Sequence, residues 1–270
     1  MLPDGALLFL LSIPSIAGFV GESLWPKTSL ELCDHPENIP LTIEMSCFYV
    51  FNNLHPVKLE IVNFDPILVI YRDILTATQV DGFLEVFRNR TLERAETIGP
   101  KSDARQANNT FFFFNDSPIT QSISETLATS IPYINFETSE EISALSYLPG
   151  GHYVEHYDYI DYNENYTDWF FENYGNRFAT VIMVFKTADE GGCTAFPVMN
   201  KSIRANPGDA FMWFNMMADE QMDAASLHSG CPVYKGEKIV ATVWTRAADQ
   251  PLLMNAVDPG PIDIFRLLFN

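Results

Sequence analysis

The chain has 270 residues, of which 47% are hydrophobic and 19% are charged. This composition is too apolar for a disordered chain and too often interrupted by charges for a multi-span membrane protein. The formal net charge is −19. An acidic surface repels phosphate backbones, which argues against nucleic acid as a partner.

The N-terminus has the pattern of a secretory signal. An apolar run over residues 6–11 is followed by small residues, and cleavage after Ala17 or after Gly21 agrees with the pattern. We therefore expect residues 1–21 to be a signal peptide and the protein to lie in the endoplasmic reticulum lumen or to be secreted. An uncut anchor is the alternative, but Pro14 and the short span argue against a stable membrane span.

Cysteine and sequon content agrees with export. None of the four cysteines forms a CxxC pair, so a zinc ribbon or thioredoxin motif is absent. Four cysteines allow three complete pairings, and a Cys33–Cys47 bridge would close a loop of about 15 residues, worth about 3 kcal/mol. The other two cysteines are Cys193 and Cys231. Glycosylation sequons begin at Asn89, Asn108, Asn115, Asn165 and Asn200.

Residues 59–75 are rich in β-branched side chains and predict strands on either side of Pro66. Helical spacing follows in Val80, Phe83, Leu84 and Phe87, with Thr76 or Thr78 as the N-cap.

The segment "NTFFFFNDSP" predicts a buried strand ended by a turn. Ser117 then caps a second helix that has Pro118 at its first position. Beyond residue 140, short apolar or alternating segments separated by Gly, Pro and Asn predict an antiparallel sandwich or barrel. The two helices would pack on this β-core.

The segment "HYVEHYDYIDY", residues 152–162, has the composition of a solvated loop or of a metal site. If it is a strand, His156 and Asp158 point to one face, and alternation places His152 on that face too, further along. An isolated HxD is common and carries little weight. His228, at the start of a late strand, is the best third ligand by position and by exclusion. Two histidines and one carboxylate leave three iron positions open.

A fixed cation near such a site would offset the desolvation of a buried carboxylate ligand. Lys235 and Lys238 lie on the strand that follows His228. Successive side chains of a strand point to opposite faces, so only one of these two lysines can face inward. The residue pattern alone leaves this choice open.

Five ordered blocks resemble one known family: "YLPGGHYVEHYDY", "GNRFATVIMVF", "EGGCTAFP", "PGDAFMWFN" and "HSGCPVYKGEKIVATVW". The chain is similar to the catalytic domain of prolyl 4-hydroxylases, most of all the collagen-type α subunit. The resemblance implies a mainly β fold with flanking helices around a double-stranded β-helix, or jelly-roll, core. It places the core in residues 141–247, a helix and strand support in 22–140 and a tail in 248–270.

The resemblance also implies roles for individual residues. Lys238, rather than Lys235, matches the lysine that pairs with the distal carboxylate of 2-oxoglutarate, whereas lysyl hydroxylases would carry arginine there. The implied iron ligands are His156, Asp158 and His228; the implied 2-oxoglutarate contacts are Lys238, Tyr147 and Thr194; and the implied peptide contacts are Tyr153, Arg177 and Trp244.

The activity that the resemblance implies is iron(II)- and 2-oxoglutarate-dependent hydroxylation of peptidyl proline at C4. Dioxygen is the co-oxidant, L-ascorbate rescues oxidised iron, and collagen-like or other Pro-rich chains are the substrates. Such chains form polyproline II segments that suit a groove lined by aromatic residues, here with Tyr157 and Tyr159 as further candidates. The alternatives are the same chemistry on another residue or peptide, and a non-catalytic subunit that binds Pro-rich peptide.

The resemblance further implies a Cys33–Cys47 bridge, with Cys193 and Cys231 either paired or free. Protein disulfide isomerase is the implied assembly partner, although this chain has no room for the long region that precedes the domain in the collagen-type subunit.

Overall fold

The computed structural model describes residues 18–34, 46–52, 55–96, 102–162, 167–254, 256 and 259–263. Its helices are α1 (Lys27–Asp34), α2 (Ala77–Arg88), α3 (Pro118–Ser130), α4 (Trp169–Tyr174) and α5 (Pro251–Met254), with short 3₁₀ turns at Glu22–Leu24, Phe136–Thr138 and Ala224–Ser226. Its strands are β1 (Ser46–Asn52), β2 (His55–Phe64), β3 (Ile67–Arg72), β4 (Glu93–Arg94), β5 (Arg105–Gln106), β6 (Asn108–Phe112), β7 (Ile142–Tyr147), β8 (His152–His156), β9 (Arg177–Lys186), β10 (Glu190–Gly191), β11 (Thr194–Phe196), β12 (Lys201–Ile203), β13 (Ala210–Phe214), β14 (His228–Gly230), β15 (Val233–Lys235) and β16 (Lys238–Arg246).

Two antiparallel sheets form the β-core. The major sheet has the strand order β1-β2-β3-β13-β9-β16-β7-β6-β4, and the minor sheet has the order β12-β11-β14-β8-β5. A buried apolar layer joins them, with Leu68, Phe211 and Trp213 from the major sheet against Phe196 and Ile203 from the minor sheet. The predicted mainly β, jelly-roll architecture is confirmed.

Helices α2 and α3 cover the opposite face of the major sheet. Phe83 and Phe87 of α2 and Ile123 and Leu127 of α3 are buried in one cluster with that face. Both predicted helices are confirmed, and Thr76 rather than Thr78 caps α2 through a capping box, which contributes about 1 kcal/mol. The Ser117 cap and Pro118 at the start of α3 are also observed.

Strand β6 is only half buried, so the prediction of a buried strand was wrong in part. Phe112 is 1% exposed, whereas Phe111 and Phe113 are 54% and 58% exposed. Successive side chains of a strand point to opposite faces, and only one face of β6 meets the helices.

The disulfide predictions need correction. Cys33 is bonded to Cys231, while Cys47 is a free, exposed thiol and Cys193 a free, buried one. The predicted Cys33–Cys47 bridge was wrong because α1, which carries Cys33, packs on β11 and β12 of the minor sheet. Strand β1, which carries Cys47, lies at the far edge of the major sheet.

The predicted signal segment lies mostly outside the described residues, which begin at residue 18. Phe19 packs its ring against His152, with centroids 4.9 Å apart. No described helix is long and apolar enough to cross a membrane. The sequon at Asn165 lies outside the described residues, and the predicted domain boundaries stay a prediction.

Candidate iron and cosubstrate site

A β-bulge in β8 sets which side chains enter the space between the sheets. His156 pairs with His228 and Tyr153 pairs with Gly230, so β8 has one more residue than β14 over this stretch. Bulges redirect side chains in this way beside active sites. Tyr153 and His156 therefore both face the interior. Val154 faces outward, where it packs with the Cys33 cluster, and so does Glu155, which accepts a hydrogen bond from Ser29.

His152 is not part of the site. Its buried ring lies against Phe19 and Trp25 on the outer face of the minor sheet. Its two ring nitrogens each lie 3.0 Å from a backbone oxygen, those of Gly150 and Asp103. The prediction that His152 shares a face with His156 was wrong because the bulge interrupts the alternation between them.

Three side chains converge beyond the bulge. His156 ends β8, Asp158 lies in the bend that follows, and His228 begins β14. One possible ligand atom from each residue lies within 4.8 Å of those from the other two. The Nε2 atoms of His156 and His228 lie 3.8 and 3.5 Å from the Asp158 carboxylate oxygens. This donor set and spacing can hold one metal ion.

Backbone carbonyls fix the tautomers of both histidines. The Nδ1–H of His156 donates to the Val154 oxygen at 2.8 Å, and that of His228 donates to the Ser226 oxygen at 2.9 Å. A carbonyl can only accept, so each Nε2 keeps its lone pair for a metal. Burial, followed by the neighbouring His228, lowers the pKa of His156 well below its ordinary value. His156 therefore stays neutral at physiological pH.

Asp158 is held by residues that sequence reasoning missed. Thr180 donates to Asp158 Oδ2 at 2.7 Å, and the Asn215 amide donates to Thr180 Oγ1 at 2.9 Å. Burial opposes ionisation of Asp158, but the combined effects of His228, His156, Arg177 and Trp244 outweigh it and lower its pKa to about 2. The sequence signal that could have identified Thr180 was a threonine among the apolar residues between Arg177 and Lys186 of β9.

We expect Thr180→Val to weaken metal binding about 10–100-fold, because it removes a hydrogen bond that orients a ligand while keeping the side-chain shape. Titration of the apoprotein with Mn²⁺, followed by electron paramagnetic resonance, measures this. Thr245→Val is the matched control, since Thr245 is also buried but its hydroxyl donates to the Ala179 oxygen. Equal affinity in Thr180→Val and wild type would contradict the assignment.

Lys238 lies behind the three converging side chains, in a cavity that also contains Tyr147 and Thr194. Its Nζ is 3.3 Å from Thr194 Oγ1, and Tyr147 is its partner across β7 and β16. Among the described residues no acidic group pairs with it, and burial lowers its pKa to about 8. A buried ammonium without a counter-ion marks a site for an anion. Lys235 instead is exposed, with Glu190 3.8 Å away.

Arg105 of β5 is a second cation that sequence reasoning did not identify. Its guanidinium lies over the Tyr153 ring at 4.5 Å, and its buried Nε has no hydrogen-bond partner within the described part of the chain. It lines both the inner cavity and the outer groove. No local motif marks it, because β5 reaches the site only through its pairing with β8.

A groove of about 660 Å³ leads outward from Asp158, and Tyr153, Arg177 and Trp244 all line it. The Arg177 guanidinium lies 3.9 Å from the Trp244 ring centre and donates to both oxygens of Glu140, at 2.6 and 2.8 Å.

The sequence analysis did not identify two further residues at the groove, Arg246 and Phe111, and it placed Tyr159 there wrongly. The buried Arg246 contacts the same Glu140 at 2.7 Å, which makes a network of two arginines around one carboxylate. Phe111 also lines the groove, as does Tyr157, whereas Tyr159 packs against the core.

A jelly roll with two histidines and an aspartate on one side of a cavity, and an unpaired lysine at its end, defines the class of 2-oxoglutarate-dependent iron oxygenases. Residues 142–246 match the model of the 2OG-Fe(II) oxygenase superfamily.

The sequence relatives narrow this class. Prolyl 4-hydroxylase 1 of Arabidopsis thaliana is 30% identical over 210 residues, which cover 70% of this chain and 72% of that protein. Prolyl 4-hydroxylase subunit alpha-2 of Caenorhabditis elegans is 26% identical over 205 residues, which cover 74% of this chain and 38% of that protein. The chain thus spans about two fifths of the latter relative. It belongs to the prolyl 4-hydroxylase family.

Solved structures share the fold. The viral collagen prolyl hydroxylase of Paramecium Bursaria Chlorella virus-1, in complex with 2OG, has a TM-score of 0.53 at 22% identity, covering 69% of this chain and 98% of that one. A prolyl hydroxylase from Trichoplax adhaerens, in complex with a hypoxia inducible factor peptide, has a TM-score of 0.50 at 15% identity, covering 70% and 87%.

Proposed function

We propose that this protein is an iron(II)- and 2-oxoglutarate-dependent dioxygenase that hydroxylates peptidyl proline at C4. The observation that carries the proposal is the juxtaposition of the His156–Asp158–His228 cluster with the unpaired Lys238 in one cavity. When bound, iron supplies the coupling of 2-oxoglutarate decarboxylation by dioxygen, which yields succinate and carbon dioxide, to hydroxylation of the substrate.

The residues present suit these groups. His156, His228 and Asp158 would hold iron through two neutral imidazoles and one carboxylate, the donor set of non-haem iron oxygenases. Lys238 would pair with the distal carboxylate of 2-oxoglutarate, which removes the cost of its buried charge. Thr194, already 3.3 Å from Lys238 Nζ, and Tyr147 would donate to the same carboxylate.

The groove supports a Pro-rich polypeptide as the substrate. An extended polyproline II segment is preformed and suits a groove lined by aromatic side chains, and Tyr153, Tyr157 and Trp244 line this groove near Asp158. Arg177 is held between Trp244 and Glu140, so the groove wall is fixed before peptide binds. The chain's own work is thus to position the peptide beside the metal and to exclude water.

The test is 2-oxoglutarate turnover by protein made in an oxidising compartment, with iron(II) and ascorbate, with and without a Pro-Pro-Gly repeat peptide. We expect peptide-dependent succinate and 4-hydroxyproline in the product, and neither from the Asp158→Ala variant. Turnover without hydroxyproline would reassign the substrate residue. Absence of turnover in folded, iron-loaded protein would favour a subunit that binds Pro-rich peptide without catalysis.

We expect Phe111→Ala to raise the KM for the peptide about threefold to tenfold, because one aromatic stacking contact is worth about 0.5–1.5 kcal/mol. The KM for 2-oxoglutarate should stay unchanged, since Phe111 lines the outer groove and not the inner cavity. Phe113→Ala is the matched control, because Phe113, just after β6, is similarly exposed but does not line the groove. An equal peptide KM in both variants would remove Phe111 from the binding surface.

We also propose that the protein works in the secretory pathway, in the endoplasmic reticulum lumen or after secretion, as a glycoprotein. The Cys33–Cys231 disulfide supports this, as do the exposed sequon residues Asn89, Asn115 and Asn200. Ascorbate would reduce iron oxidised in turnovers without peptide, and protein disulfide isomerase is the proposed partner on the family resemblance. Expression in animal cells with glycosidase treatment and co-purification tests these points, and an unglycosylated, cytosolic product would contradict them.

A further inference from the structure

Three of the four cysteines meet under α1, on the outer face of the minor sheet. Cys33 of α1 is bonded to Cys231, and the free thiol of Cys193 is buried in the same cluster with Trp25. This cluster lies on the other face of β11 from the cavity, because Ala195 shares it while Thr194 faces Lys238, although Cys193 still acts electrostatically on Lys238.

Cys193 directly precedes β11 and Cys231 directly follows β14, so the two cysteines are neighbours at one end of this strand pair. Thr194 pairs with Gly230, and the Cys231 N–H donates to the Cys193 oxygen at 2.9 Å, so the two cysteines stand opposite each other. Opposite residues of an antiparallel pair have Cα atoms about 4.5–5.5 Å apart. Disulfides require about 4.4–6.8 Å, and the Cys33–Cys231 Cα atoms are 5.5 Å apart. By this spacing, the backbone positions would allow Cys231 to bond to Cys193 as well as to Cys33.

We propose that Cys193 is a resolving thiol that exchanges with the Cys33–Cys231 disulfide. The Cys193 thiolate attacks the Cys231 sulfur, the bond between the Cys33 and Cys231 sulfurs breaks, and Cys33 leaves as a thiolate that takes up the proton lost by Cys193. One disulfide and one thiol are present before and after, so the step needs no external oxidant or reductant.

The exchange changes what holds the N-terminal segment. In the observed state α1 is bonded to Cys231, the residue that follows β14, and it also contacts the core through Ser29 with Glu155 and through Asp34 with Tyr234. After exchange only such non-covalent contacts hold α1. The new bond would instead join the residue before β11 to the residue after β14, directly beside Thr194 of the carboxylate pocket. The protein would thus have two forms, one in which α1 is disulfide-bonded to the core and one in which it is not.

Slow alkylation of the native protein distinguishes exchange from a static bridge. The protein is incubated with iodoacetamide, without reductant and in urea below the unfolding transition, until Cys33 or Cys193 has reacted, and the bridges are mapped by mass spectrometry. We expect label on Cys33 together with a Cys193–Cys231 disulfide. Label on Cys193 with the Cys33–Cys231 disulfide intact would overturn the proposal. Cys47, which is exposed, reacts in either case and reports reagent activity.

Two variants complete the test. Cys33→Ser, oxidised with glutathione disulfide, should form a Cys193–Cys231 bridge, and two reduced thiols after such treatment would count against the proposal. Cys193→Ser should never accept label on Cys33 under the native conditions, because it lacks the attacking thiol. In the labelled wild type, trypsin should cut after the exposed Lys27 at least about tenfold faster than before labelling, since α1 is no longer bonded to Cys231.

Discussion

Asp158→Ala is expected to reduce 2-oxoglutarate turnover by about a thousand-fold or more. A bound metal stabilises the reaction by several kcal/mol, and each 1.4 kcal/mol is about tenfold in rate. Asp158 is the only anion among the three converging side chains, and it is already ionised because its pKa is lowered to about 2. Its loss removes a ligand and the charge that favours a cation between the two imidazoles.

Turnover and Mn²⁺ affinity, measured on the same preparations, check this expectation. Asp161→Ala is the matched control, since Asp161 lies three residues further on and is exposed. The control should behave as wild type in both assays. Residual turnover above a few per cent in Asp158→Ala, with the metal still bound, would show that another group completes the metal site.

Lys238→Ala is expected to raise the 2-oxoglutarate concentration for half-maximal turnover by at least about 30-fold. Truncating one partner of a buried, hydrogen-bonded charge pair costs about 2–5 kcal/mol. The peptide KM should change little, because Lys238 lines the inner cavity and not the outer groove. An unchanged 2-oxoglutarate requirement would place the cosubstrate elsewhere.

The same lysine predicts a pH dependence. Burial lowers the pKa of Lys238 to about 8 in the ligand-free protein, and the carboxylate binds only the charged form. Affinity for 2-oxoglutarate should therefore be constant below about pH 8 and fall as the pH rises above it, until the pKa of the complex is reached. Lys238→Arg should abolish this fall, because a guanidinium stays charged. Calorimetric titrations between pH 6.5 and 9.5, with Mn²⁺ under anaerobic conditions, test both profiles.

Much of the fold could be predicted because its signals are local. The caps of α2 and α3 consist of residues three apart, Thr76 with Gln79 and Ser117 with Thr120, and the apolar spacing that follows each cap marks the helix face. The β-rich half was likewise evident from short segments between turn residues. Burial of β6 was overestimated because an apolar side chain can also line an open groove, as Phe111 does.

Other features could not be predicted because they depend on pairing between distant segments. The bulge in β8 has no glycine or other local marker, yet it moves His152 to the outer face and brings Tyr153 to the inner face. Arg105, Thr180 and Arg246 reach the site from separate strands. Disulfide pairing is also non-local: Cys33 has a nearer partner in sequence but bonds to a cysteine 198 residues away.

That long separation has a topological consequence. The Cys33–Cys231 bond makes a covalent ring that includes most of the polypeptide, whereas a Cys193–Cys231 bond would enclose only 231 − 193 = 38 positions. A single backbone cut between residues 33 and 193 would leave one connected molecule in the first case and two separable fragments in the second. Denaturing, non-reducing electrophoresis of a sample cut once in this range would thus show one band for the Cys33–Cys231 bridge and two bands for the Cys193–Cys231 bridge.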